Sequence, residues 1–92
     1  MAYMLVRQTV KDYEAWKSVF DSGSDLRTRN GQESYRIMRP ENGSSEVFAL
    51  FQWDSLDNAR NFASSSELRE AMARAGVVGK PEISFLEESA RG

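Results

Sequence analysis

Cysteine and histidine are both missing from this 92-residue chain, and the two absences exclude much familiar chemistry. Without cysteine there is no disulfide framework and no thiolate nucleophile. Without histidine the commonest near-neutral acid/base group is gone, along with ordinary zinc and copper sites. No serine has a histidine to activate it, and no G-x-S-x-G elbow occurs. Carboxylate-only magnesium or calcium sites stay open in principle, yet the acidic residues follow no familiar loop spacing. A glycine-rich phosphate loop is also lacking: Gly76-x-x-Gly79 with Lys80 follows a helical pattern and reads as a cap and linker. Charge of one sign is scarce. The net charge is −2, from 12 basic and 14 acidic residues mixed throughout, which argues against a nucleic-acid surface. Apolar runs are a handful of residues long, far short of a membrane span. The segment Met1 to Arg7 lacks a signal-peptide pattern. The expectation is a cytoplasmic protein with no nucleic-acid or membrane partner.

What is present is enough for one domain, 1–92, burying roughly 60–65% of its extended surface. Tyr3 to Val10 (YMLVRQTV) is rich in strand-forming residues. Asp12 caps a helix predicted to run to about Asn30, with Tyr13, Trp16, Val19/Phe20, Gly23 and Leu26 on one stripe. Ser22-Gly23-Ser24 weakens its middle. Ser34 to Arg39 and Glu46 to Trp53 read as strands around a Pro40-Glu41-Asn42-Gly43 turn, an antiparallel hairpin. Asp54 or Ser55 caps a second helical region carrying Leu56, Ala59, Phe62 and Ala63. Ser64 with Glu67 has capping-box spacing for a fresh start through Leu68, Ala71, Met72 and Ala75, and Gly76 fits its C-terminal cap. Val77 to Pro81 reads as a linker, and Glu82 to Leu86 as the fourth strand. The order is that of an α+β, ferredoxin-like split βαβ sandwich with a four-stranded antiparallel sheet.

The strands are apolar on both parities. Val47, Ala49, Phe51 and Trp53 alternate with Phe48, Leu50 and Gln52. Tyr3, Leu5 and Arg7 alternate with Met4, Val6 and Gln8. A sheet with one wet face shows cleaner alternation. Helices cover only one face in this topology, so the other is expected to meet a second copy of the chain.

Trp53, at a strand end, together with Trp16, Tyr13, Phe62 and Met72 could line a pocket between sheet and helices, or simply fill the core. Arg7 and Arg36 lie inside strands among apolar neighbours. Each either pairs with a carboxylate such as Glu46 or Glu82, lies at a dimer seam, or serves as an anion or carbonyl clamp. Asn58 and Asn61 are either solvated or hold a substrate oxygen. Arg27, Arg29 and Gln32 flank the end of the first helix and could meet an anion there, although a cation at a helix C-terminus is favourable in any case. Tyr3, Tyr13 and Tyr35 would need strong activation to act as acids or bases.

Asp12-Tyr13-Glu14-Ala15-Trp16-Lys17 with Phe20, then Gly31 to Arg36, then Phe51-Gln52-Trp53-Asp54 leading to Ala59-Arg60 and Phe62, carry a resemblance. So do Ser66-x-Leu68-Arg69-Glu70-Ala71-Met72, the stretch through Ala75-Gly76-Val77 to Pro81, and Phe85-Leu86. Over residues 2–88 the chain resembles the dimeric α/β-barrel superfamily, and within it the antibiotic biosynthesis monooxygenase-like and cyclase-like small proteins. The resemblance implies a homodimer whose two sheets face each other as a dimeric α/β barrel, with a pocket between sheet and helices in each subunit. Relatives of this type oxidise electron-rich aromatic compounds without a cofactor, and their pockets use asparagine, tryptophan, arginine and tyrosine. Arg36, Asn61 and Trp53 are the implied catalytic candidates. Trp16, Tyr13, Phe62, Asn58, Met72 and Arg7 are the ligand-binding ones. The haem-degrading branch uses a histidine that this chain lacks.

Three functions compete. One is a monooxygenase-like or cyclase-like protein acting on a small aromatic or unsaturated compound, with no cofactor and no metal. The second is a non-catalytic, small-molecule-binding or stress-related accessory homodimer. The third is a purely structural dimer whose interior is full.

Overall fold

A computed structural model describes residues 2–92, so the part of the leader reading that rests on Met1 lies outside the described residues. The chain runs β1 (Ala2–Val10), α1 (Tyr13–Ser22), α2 (Ser24–Arg29), β2 (Gln32–Met38), β3 (Glu46–Trp53), α3 (Leu56–Ala63), α4 (Ser66–Ala75) and β4 (Val77–Glu87). The strands pair antiparallel in the order β2-β3-β1-β4. This is the ferredoxin-like sandwich, but the barrel expectation is corrected. The sheet is open, with β2 and β4 as separate edges, and it does not close on itself. Closure would require β2 and β4 to hydrogen-bond, and four strands are too few to enclose a packed interior.

The predicted single first helix is two. Gly23 ends α1, its amide donating to the Phe20 and Asp21 carbonyls, and α2 starts at once. Asp12 caps α1 as expected, its carboxylate accepting from the Ala15 amide. Ser55 caps α3 by accepting from the Asn58 amide. The start of α4 shifts by one residue from expectation: Ser65, not Ser64, accepts from the Leu68 amide. The supposed linker Val77 to Pro81 belongs to β4, because Val77 and Val78 pair with Val10 and Thr9. A register shift between Arg7 and Thr9 absorbs the irregular stretch, in which Gly79 has φ +72°. Pro81 is tolerated there because β4 is an edge strand.

One parity of the central strands faces the helices: Met4, Val6 and Val10 from β1, and Val47, Ala49, Phe51 and Trp53 from β3, all buried. Trp16, Ala59, Phe62 and Ala75 close the core from the helical side. On the other parity Tyr3, Leu5, Phe48 and Leu50 are only half-buried. The flanking Met38, Val78 and Leu86 are 46%, 47% and 42% exposed. The sheet is therefore apolar on a face that no helix covers.

Gly31 locks the β2 entrance to the end of β3. Its carbonyl accepts from the Asp54 amide at 2.9 Å, its φ is +113°, and a Cβ there would overlap the Asp54 carboxylate. A side chain would meet both backbone strain and collision. Gly31→Ala is expected to cost about 1–3 kcal/mol, a fall of roughly 5–15 °C in Tm for a chain of this size. Calorimetry showing an unchanged Tm would refute this account of the turn.

Candidate functional site

Between the inner face of the sheet and the helices lies a cavity of about 80 Å³. Met4, Val6 and Phe51 form its floor, and Trp16, Phe20, Phe62 and Met72 much of its walls. Ring packing shapes those walls. Trp16 stacks on Phe20 at 5.1 Å and on Tyr13 at 5.9 Å, and Phe62 leans on Trp53 at 5.3 Å.

Three polar side chains line this largely apolar cavity: Gln8, Arg27 and Glu67, the last exposed on α4 with its Oε1 accepting from the Ser66 hydroxyl. Gln8 shares the inner parity of β1 with Met4 and Val6 and is 6% exposed; its Oε1 has no hydrogen-bond partner. Arg27, from α2, is 5% exposed. Its Nε donates to Gln32 Oε1 at 2.8 Å and its Nη1 to the Phe20 carbonyl at 2.8 Å, while Nη2 has no partner. The guanidinium lies over Phe20, its central carbon 3.8 Å from the ring centroid. Its placement depends on Gly23, where a Cβ would come within 3.1 Å of Nη1.

Two features offset part of the cost of this buried charge. The Phe20 carbonyl belongs to the last turn of α1, where the helix dipole is negative. The Phe20 face adds a cation–π attraction. Burial nevertheless pushes the Arg27 pKa down from its usual value, against smaller opposing influences of Tyr35 and Asp21. Among the described residues no carboxylate forms an ion pair with it.

The structure brings Trp16, Phe62 and Met72 together at the cavity. Trp53 stands behind Phe62 at 1% exposure, with its Nε1 unpartnered. Tyr13 extends the ring stack outward and carries Arg39 over its face at 4.0 Å. The other candidates are elsewhere. Arg7 lies on the outer face, where its Nε donates to Glu46 at 2.6 Å and its guanidinium sits over Phe48. That hydrogen bond and ion pair raise its pKa. Arg36, opposite Leu50, is exposed on the same outer face. Asn58 donates its side-chain amide to Asp54 Oδ1 at 2.9 Å, holding the entrance of α3. Asn61 is exposed on α3.

Sequence reasoning did not select Gln8 or single out Arg27, although both signals were available. Gln8 falls on the parity of Met4 and Val6. Arg27 continues the spacing Trp16, Phe20, Gly23, which keeps it on the buried stripe across the helix break.

By sequence the chain matches no family model and no curated protein. By structure it is similar to SnoaB, a cofactor-independent oxygenase from Streptomyces nogalater, at TM-score 0.80 and 15% identity over 98% of this chain and 94% of that one. It is also similar to an antibiotic biosynthesis monooxygenase from Bordetella bronchiseptica, at TM-score 0.79 and 13% identity over 97% of each chain. A conserved protein from Methanosarcina mazei Go1 matches at TM-score 0.74 and 14% identity over 97% of this chain and 94% of that one. At such identities the shared property is the fold, that of the antibiotic biosynthesis monooxygenase-like proteins. Among the described residues no helix is long and apolar enough to cross a membrane.

Proposed function

We propose that this chain receives a small aromatic or unsaturated compound in the cavity between sheet and helices, and that it is an oxygenase-like or cyclase-like protein needing no cofactor. The observation that carries the reading is the pairing of aromatic walls with two buried, unpartnered polar atoms, Arg27 Nη2 and Gln8 Oε1. Orphaned buried polar groups are costly, and a ligand in the cavity would supply partners for these two, whereas the third such atom, Trp53 Nε1, lies outside the lining. A ring held against Trp16 and Phe62 would place an oxygen on Arg27, which stabilises negative charge developing there without reorganisation. Oxidation of an activated ring methylene to a carbonyl balances with dioxygen alone. One oxygen atom stays on carbon, and the other leaves as water with the two hydrogens. The likeness of fold to a cofactor-independent oxygenase supports this chemistry.

Oxygen consumption with a panel of hydroxylated small-ring compounds tests the reading, alongside quenching of tryptophan fluorescence, for which Trp16 is a reporter in the cavity wall. Uptake with at least one compound is expected. Quenching without uptake overturns the oxygenase reading in favour of a binding module, and the absence of both responses overturns the whole proposal. The same proposal includes self-association: a second copy covers the outer face formed by Tyr3, Leu5, Phe48 and Leu50 with Met38, Val78 and Leu86. Charge complementarity helps, because Arg7 and Glu46 lie side by side on that face and an isologous contact presents both from each copy.

A further inference from the structure

Arg27 is a buried cation that, among the described residues, no carboxylate pairs with; Asp21 acts on it only weakly, and Glu67 lines the same cavity but is exposed on α4. Capping α1 does not by itself explain the residue. The Phe20 carbonyl uses Nη1 and Gln32 uses Nε, which leaves Nη2 buried and unmatched. An isosteric apolar side chain would fill the same space without a desolvation penalty. An anionic oxygen on Nη2 would supply both the missing acceptor and the missing charge, as guanidinium groups commonly receive it. Gln8 Oε1, an unpaired acceptor lining the same cavity, suits a donor such as a hydroxyl.

Size limits the rest of the ligand. The cavity is about 80 Å³, against the ~150 Å³ of an engineered apolar cavity that takes benzene. The cavity is partly open, so a single ring enters with its edge at the mouth or with half-buried Leu68 and Met72 of α4 moved slightly aside.

We infer that the cavity selects a single-ring or smaller monoanion, with its charged oxygen on Arg27 Nη2 and a neighbouring hydroxyl on Gln8 Oε1. The inference rests on the cavity reading proposed above and adds charge and hydroxyl selectivity to it.

Three probes of nearly equal shape test it on the intact chain by tryptophan quenching and calorimetry: benzyl alcohol, benzoate and 2-hydroxybenzoate. The expected order is 2-hydroxybenzoate tighter than benzoate, and benzoate at least tenfold tighter than benzyl alcohol. Arg27→Met should weaken benzoate by roughly ten- to a hundredfold, the worth of a charged hydrogen bond, and change benzyl alcohol less than threefold. Gln8→Leu should abolish the preference for 2-hydroxybenzoate over benzoate while leaving benzoate itself nearly unchanged. Should Arg27→Met fail to fold, the benzoate to benzyl alcohol ratio of the unmodified chain decides alone. Equal affinity for those two overturns the charge inference while the cavity reading stands. Absence of binding by all three overturns both.

Discussion

Trp53→Ala is expected to lower the unfolding free energy by about 3–5 kcal/mol, the usual cost of deleting a fully buried indole. The residue is 1% exposed at the end of the central strand β3, paired with Ala2 of β1 on one side and Gln32 of β2 on the other. Its ring packs at 5.3 Å on Phe62, a cavity wall, so its removal empties the floor beneath α3. A domain of this length commonly has ~5–15 kcal/mol in total, so the variant loses about a fifth of its stability at the least. With a urea slope of ~1–1.5 kcal/mol per molar, the midpoint falls by roughly 2–5 M at fixed protein concentration. Trp53→Phe separates packing from polarity. It keeps the ring contact and removes a buried Nε1 that has no partner, so its cost should stay below about 2 kcal/mol. A midpoint for Trp53→Ala within 0.5 M (about 0.5 kcal/mol) of the unmodified chain would mean that the β3 end is not part of the cooperative core.

The second large effect concerns association. In light scattering at micromolar concentration the unmodified chain should show about twice its mass of 10.4 kDa, and Leu5→Glu/Leu50→Glu should return it to 10.4 kDa. Leu5 and Leu50 are direct register partners on the two central strands and lie mid-face, away from the helices. In an isologous contact every substituted side chain appears twice, so four carboxylates would be buried together, and only the two at position 50 have a cation, Arg36, opposite them. At ~3–5 kcal/mol for each unpaired buried charge, the remaining two alone cost about as much as the ~8 kcal/mol that holds a micromolar dimer. On the monomer these positions are only half-buried, so the variant chain should stay folded by circular dichroism. A monomeric unmodified chain, or a doubled mass in the variant, would refute the assignment of this face.

These two expectations draw on different kinds of information. The Trp53 result follows from alternation along β3, visible in Val47, Ala49, Phe51 and Trp53 before any coordinate. Glu46 to Trp53 is the strand observed, residue for residue. The Gly76 cap and the Asp12 cap were equally legible, because a left-handed turn and an orphan amide make local demands on single residues. Less local features were misread. Val77 to Pro81 looks like a linker because glycine and proline punctuate it, yet pairing with Thr9 and Val10 draws it into the sheet. The dimeric barrel was inferred by likeness; strand order shows an open sheet with free edges.

Sequence alone determined the α+β class, the antiparallel hairpin, the apolar character of both sheet faces and the exclusion of histidine and cysteine chemistry, because periodicity and composition are properties of neighbouring residues. Only the tertiary structure decided which arginine is buried. Arg36 and Arg7 sit among apolar neighbours in the chain yet face outward. Arg27, in a polar stretch, turns inward because Gly23 breaks the helix and leaves room for its guanidinium against Phe20. Burial of a charge depends on what the fold packs around it from distant parts of the chain, here α1, β1, β3 and α4, and no local pattern encodes that assembly.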